Sequence, residues 1–194
     1  MTDRRLIVGL GNPGREYDKT RHNAGFWFVH AFAERHMVNL RAQKKVHGHA
    51  DKLRIAGQDV VVMKPDTFMN DSGQALRAAL DFYDIDVGHV LVAYYDLDLP
   101  PGQVRLKHGG GHGGHNGLKS AFAHLGGQNF WRLRIGIGHP GQREQVTPWV
   151  LGRASRDDEL AIEAAIDRSL SAVALWLQGQ PDQAMLELHS DSSG

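Results

Sequence analysis

Residues 6–25, LIVGLGNPGREYDKTRHNAG, decide how this chain is read. Leu6, Ile7 and Val8 form an apolar run that enters a glycine loop, Gly9 to Gly14. A short apolar run closed by glycines is the pattern of a buried strand. Thr20-Arg21-His22-Asn23 then stands just ahead of the helical pattern FWFVHAFAERHM. The stretch therefore places an amide, Asn12, and a histidine, His22, at loop and helix-start positions, where side chains face a ligand rather than the core.

Residues 9–14 also spell G-x-G-x-x-G, the dinucleotide fingerprint. In that motif the third glycine opens a helix whose N-terminus holds a pyrophosphate. Here Gly14 leads into Arg-Glu-Tyr-Asp-Lys-Thr-Arg, which has no apolar stripe. Glu34 has roughly the spacing of the ribose-binding acid but lies inside the helical pattern. A tight turn after a first strand is the better reading, and a nucleotide-dependent oxidoreductase ranks last among the functions considered.

Working outward, the pattern alternates strands and helices. Strands are expected at Leu6–Leu10, Lys52–Ala56, Asp59–Lys64, Val90–Tyr95, Gln103–Lys107 and Arg132–Gly138. Helices are expected at Asn23–Met37, Ser72–Tyr83, Asn116–His124, Ser155–Leu177 and Pro181–Leu188, with Gly57-Gln58 as a hairpin turn. This order implies an α/β fold, a twisted, mixed but mostly parallel sheet with helices on both faces. Residues 1–189 are expected to form one domain and 190–194 a disordered tail. Ligands of such folds gather beyond the C-terminal strand ends. The loops Gly9–Asn23, Lys64–Asn70 and Tyr95–Gly102 lie there, and a fourth, His108–Asn116, joins a strand to a helix.

The chain has 194 residues, no cysteine and a formal net charge of +0. A disulfide frame and thiolate chemistry are excluded. No apolar run reaches the ~18 residues of a membrane span, and MTDRRLIV lacks a signal-peptide pattern, so the cytoplasm is the expected compartment. The neutral total hides an asymmetry. Between Leu99 and Arg143 there is no Asp or Glu, while Arg105, Lys107, Lys119, Arg132, Arg134 and Arg143 stand there with five histidines. A local positive field beside a glycine loop suits a phosphate-bearing ligand.

His22 is the first candidate for chemistry, because a neutral imidazole is the commonest general base. In Lys64-Pro65-Asp66-Thr67-Phe68-Met69-Asn70, Asn70 is either a helix cap or an amide that orients a substrate above a floor made by Phe68 and Met69. HGGGHGGHNG, residues 108–117, either offers backbone amides to an anion or ligates a metal through His108, His112 and His115. No carboxylate lies in that window to support such ligands, which disfavours the metal. Asp96 and Asp98 suit a structural turn, and no G-x-S-x-G elbow exists.

Together these motifs resemble bacterial peptidyl-tRNA hydrolases over nearly the whole chain. The matching pieces are LIVGLGNPGREYDKTRHNAG, TFMN, LDLPPG, KHGGGHGGHNGLK and FWRLRIGIGHPG, in the family's order. The resemblance implies cleavage of the ester between a peptide and the 3′ ribose of tRNA, by a monomer that needs no metal or other cofactor. It makes His22 the base that activates water. It makes Asn12 the group that tells a blocked peptidyl nitrogen from a free amine. Tyr17, Phe68, Met69, Asn70, His115 and Asn116 would line the cleft, and Lys107 and Arg134 would hold tRNA phosphate.

One position departs from the pattern. Where the family has an Asp two residues before LDLPPG, orienting the base, this chain has Tyr95. Asp96 takes over that task only if the strand end bulges, since neighbouring strand residues face opposite sides. The departure implies slower turnover, a shifted orienter, or an RNA-binding homologue impaired in catalysis.

Overall fold

A computed structural model describes residues 2–190. Among these residues seven strands form one mixed sheet: β1 Arg5–Gly9, β2 Arg41–Gln43, β3 Gly48–Ile55, β4 Gln58–Pro65, β5 Val90–Asp96, β6 Val104–His108 and β7 Trp131–Gly136. Their order is β2-β3-β4-β1-β5-β7-β6. The central four, β4, β1, β5 and β7, run parallel, while β2, β3 and β6 complete the edges in antiparallel fashion. The α-helices are α1 Ala24–Arg35, α2 Ser72–Tyr83, α3 Asn116–Leu125, α4 Val146–Val150, α5 Arg156–Leu177 and α6 Pro181–Ser190.

The strand period of two divides the core. Ile7, Val60, Val62, Leu91 and Ala93 join Phe28 and Phe32 of α1 and Ile162, Ile166 and Trp176 of α5 on one face. Leu6, Val8, Val61, Met63, Val90 and Val92 meet Leu76 and Leu80 of α2 and Leu118 of α3 on the other. Side chains on successive strand residues alternate faces, so a continuous apolar run needs both faces covered. The α/β layering expected from the sequence is the one observed.

The same alternation explains the acid-free basic window. In β6 and β7, Val104, Leu106, Leu133 and Ile135 enter the core. The intervening Arg105 and Lys107 stand opposite Arg134 and Arg132 on the other face. A run of cations in sequence thus becomes a one-sided stripe at a sheet edge.

The differences from the expected elements have local causes. The hairpin turn is Ala56-Gly57, one residue earlier than expected, because Ile55 pairs with Gln58. Both turn residues have positive φ, 50° and 79°, as a tight two-residue hairpin requires. β2 and α4 were absent from the expected list, being only three and five residues long. The 3-10 turn Arg21–Asn23 precedes α1. Ser190, expected in the tail, belongs to α6, where its hydroxyl donates to the Glu187 carbonyl. The rest of that expected tail, 191–194, lies outside the described residues.

Gly9 and Gly25 serve packing rather than pyrophosphate. A methyl group on Gly9 would collide with the backbone of Gly25, and one on Gly25 with the backbones of Ala93 and Leu10. The first turn of α1 therefore lies hard against the ends of β1 and β5, which brings His22 to the strand termini. The glycine loop leads into the short 3-10 turn Arg15–Tyr17 and not into an α-helix.

Candidate active site

A cleft of about 750 Å³ opens above these termini. Asn12, His22, Phe68–Asn70, Tyr94–Asp98 and Gly111–Asn116 line it, so all four marked loops meet there. The fourth takes an indirect route. β6 runs antiparallel to β7, with His108 opposite Trp131 at the far end. The glycine loop then returns along the sheet and delivers His115, whose ring lies 4.4 Å from that of Tyr95.

His22 is 9% exposed, and neither Nδ1 nor Nε2 has a hydrogen-bond partner among the described residues. Burial disfavours the imidazolium and pushes its pKa down to about 4. Tyr95 packs its ring 5.4 Å from the His22 ring, tilted by 36°. The phenol is itself pushed up to about 12, by burial and then by the charge of Asp96. His22, Tyr95 and His115 thus form a three-ring stack with no carboxylate on the base.

Asp96 makes no hydrogen bond to His22. Its Oδ2 accepts from Arg134 Nε at 2.8 Å, and its Oδ1 accepts from the Asp98 amide at 2.8 Å. β5 keeps an unbroken register with β7, from Leu91 opposite Trp131 to Asp96 opposite Gly136. Without a bulge, the side chain after Tyr95 turns away from His22. Arg134 lines the cleft, but its charge is shared with this carboxylate.

Asn12 is held in a defined orientation. Its Oδ1 accepts from the Met69 amide at 2.7 Å. Its own amide donates to Asn23 Oδ1 at 2.8 Å, and Asn23 Nδ2 returns a bond to the Asn12 carbonyl at 3.0 Å. With Oδ1 occupied, the cleft receives the Nδ2 donors of Asn12. His115, rather than Asn116, caps α3, accepting from the Leu118 amide at 3.3 Å. Asn70 lies within a 3-10 turn and makes no cap bond. The carboxamides of Asn70 and Asn116 are therefore not engaged as caps, and both line the cleft. Phe68 stands at the rim, 56% exposed, with Tyr17 edge-on to it at 6.3 Å, and Met69 is buried beneath. Lys107 also lines the cleft.

The three histidines considered as ligands go separate ways. His108 packs on Trp131, His112 on Phe122, and His115 caps a helix. Among the described residues no group of three or more His, Asp or Glu has the arrangement of a metal site.

Sequence reasoning missed the wall made by Val146, Thr147, Val150 and Leu151. Arg21 fixes this segment beside His22. Its guanidinium lies 3.5 Å from the Trp149 ring centroid and donates to the Trp149 carbonyl, and its amide donates to the Gly152 carbonyl. The available signal was the apolar cluster around Pro148, too short to register as a helix.

Burying His22 and His115 as neutral rings links stability to pH. Desolvation, reinforced by His22, pushes His115 down to about 3. Both folded-state values lie below the unfolded ~6.5. Stability is therefore full above pH ~6.5 and falls as pH drops toward 4, where the unfolded chain binds protons that the folded state refuses. Thermal melts should show this slope, and His115→Asn, which retains a capping acceptor, should reduce it. An unchanged slope would remove His115 from the linkage.

The sequence matches the family described as Peptidyl-tRNA hydrolase over residues 6–193. It is 51% identical to the peptidyl-tRNA hydrolase of Xanthomonas axonopodis pv. citri across 98% of this chain and 99% of that one. With that of Aeromonas hydrophila it shares 50% identity, covering 96% and 94%. The structure superposes on the crystal structure of peptidyl-tRNA hydrolase from Acinetobacter baumannii with a TM-score of 0.92 at 49% identity, covering 97% and 95%. A family match over nearly the whole chain, with near-complete coverage at this identity, means that the chain belongs to the peptidyl-tRNA hydrolase family.

Proposed function

We propose that the protein hydrolyses the ester between a peptidyl group and the 3′ ribose of tRNA, with His22 as general base. The observation that carries this reading is the neutral His22 imidazole, unpartnered among the described residues, in a cleft lined by three carboxamides, Asn12, Asn70 and Asn116. A water held by the imidazole attacks the ester carbonyl as the ring takes its proton. The carbon–oxygen bond to ribose then breaks, and the imidazolium returns the proton to the ribose oxygen. The three carboxamides hold the peptide backbone, and their N–H groups stabilise the oxyanion that develops. Tyr17 supports Phe68 at the rim, Met69 and His115 shape the floor, and Lys107 and Arg134 meet tRNA phosphate.

Carboxamides recognise a backbone whatever its side chains, which fits a substrate of variable peptide sequence. An ester is already an activated acyl group, so positioned water and one base suffice without a metal. Among the described residues no helix is long and apolar enough to cross a membrane. The reading carries with it a monomer acting in the cytoplasm, where peptidyl-tRNA is made. The comparisons lend no support to a homologue that only binds RNA.

The direct test is release of N-acetyl-amino acid from N-acetyl-aminoacyl-tRNA with a chelator present, beside free aminoacyl-tRNA. The blocked ester should be cleaved and the free one spared. Tight tRNA binding without cleavage would replace the hydrolase with a binding protein.

A further inference from the structure

The most deeply buried charge in the cleft wall belongs to a residue without an assigned role. Arg132 is 1% exposed. Its guanidinium lies between the rings of Phe122 and Phe130, 4.9 and 5.1 Å from their centroids. It donates to two successive carbonyls of the glycine loop, Nη2 to Gly110 and Nη1 to Gly111. It makes no ion pair with a carboxylate among the described residues. Main-chain dipoles and ring faces therefore take the place of a counter-ion, which ties the position of this charge to the position of the loop.

The grip has a geometric consequence. In a trans peptide the carbonyl and the next N–H point in opposite directions, and no described peptide bond is cis. Drawing the Gly110 and Gly111 carbonyls inward turns the N–H groups of Gly111 and His112 outward, away from the core. Neither amide has a hydrogen-bond partner among the described residues. Both residues are exposed and line the cleft. Gly109 and Gly110 take φ of 69° and 95°, which allows the sharp turn. Lys107 leans on the same turn, since a β-carbon on Gly110 would lie 2.6 Å from its Nζ.

Two adjacent outward amides beside the Lys107 ammonium make a cradle for an anionic oxygen. We propose that Arg132 is a positioning residue that builds this cradle, and that the amides of Gly111 and His112, with Lys107, receive a phosphate of the tRNA substrate. The proposal rests on the hydrolase reading and deepens it. It extends phosphate recognition from Lys107 and Arg134, whose charge Asp96 shares, to the backbone of the loop.

Two experiments test it. In the first, inorganic phosphate is titrated into the wild-type protein and backbone amide resonances are followed by NMR. Those of Gly111 and His112 should move together and saturate, and Lys107→Met should weaken the response. Shifts that avoid these two amides would overturn the cradle, whatever the enzyme hydrolyses. In the second, Arg132→Met is compared with wild type on N-acetyl-aminoacyl-tRNA. KM should rise about tenfold while kcat changes less than about threefold, and competition by inorganic phosphate should weaken in parallel. Arg132→Lys, which keeps the charge but not the fork, should fall between them. An unchanged KM and unchanged phosphate competition would sink the positioning role. Failure of the wild type to cleave the ester would count against the hydrolase reading alone, because the phosphate titration judges the cradle separately.

Discussion

Replacing His22 with alanine should lower kcat on N-acetyl-aminoacyl-tRNA by roughly 10²–10⁴, the usual contribution of a positioned general base. Substrate binding should be nearly untouched. Asn12 is fixed by Met69 and Asn23, and the glycine loop by Arg132, so the cleft keeps its shape without the imidazole. His22 leaves no orphaned partner, because neither ring nitrogen is bonded among the described residues. The loss should thus fall on kcat with little change in KM. A fall of less than about threefold in kcat would give the proton transfer to another group and remove His22 as base.

Much of this was legible in the sequence because it depends on local pattern. The buried run at Leu6–Val8, the two faces of β6 and β7, and the helix at Ser72–Tyr83 follow from periods of two and 3.6. The loops around Asn12, His22, Asn70 and Asn116 were legible as site material, since turn residues and strand ends locate ligands in an open α/β sheet. What stayed hidden depends on pairing across the chain. The inward carbonyls that occupy Arg132 come from residues 21 and 22 positions away. The sequence placed Arg132 in a positive field, whereas the fold buries it and commits its two terminal nitrogens to the loop. Asp96 was ambiguous for the same kind of reason. Its fate turned on whether β5 bulged, and only the register with β7 shows that it does not. The cap of α3 also depends on the fold, because His115 Nδ1 reaches the Leu118 amide while Asn116 already lies within the helix.

Tyr95→Asp should raise the activity of this enzyme rather than abolish it. The side chain at position 95 already points at the base, since the Tyr95 and His22 rings lie 5.4 Å apart. A carboxylate there places an anion beside an imidazole that now has no polar partner among the described residues, and so raises the His22 pKa from about 4 toward its ordinary value. Both effects on the base favour turnover near neutral pH. The stronger base accepts the water proton more readily, and a value still at or below ~6.5 leaves most of the imidazole unprotonated. A carboxylate accepting from one ring nitrogen also fixes the tautomer, leaving the other lone pair to face water. We expect kcat to rise roughly tenfold at pH ~7. The acid limb of the pH–rate profile should move to higher pH than that of the wild type. Tyr95→Phe keeps the ring and removes a hydroxyl that does not bond His22, so its acid limb should stay where the wild type has it. The aspartate variant loses packing, because the shorter side chain leaves part of the space between His22 and His115 to water, and a lower melting temperature should accompany the gain. The decisive comparison is therefore the pH profile of kcat for the two variants. If the carboxylate introduced by Tyr95→Asp leaves the acid limb unmoved and kcat does not rise, the stack of His22 on Tyr95 is not what limits the base. In that case the three-ring arrangement would supply by packing the orientation that a carboxylate supplies by charge.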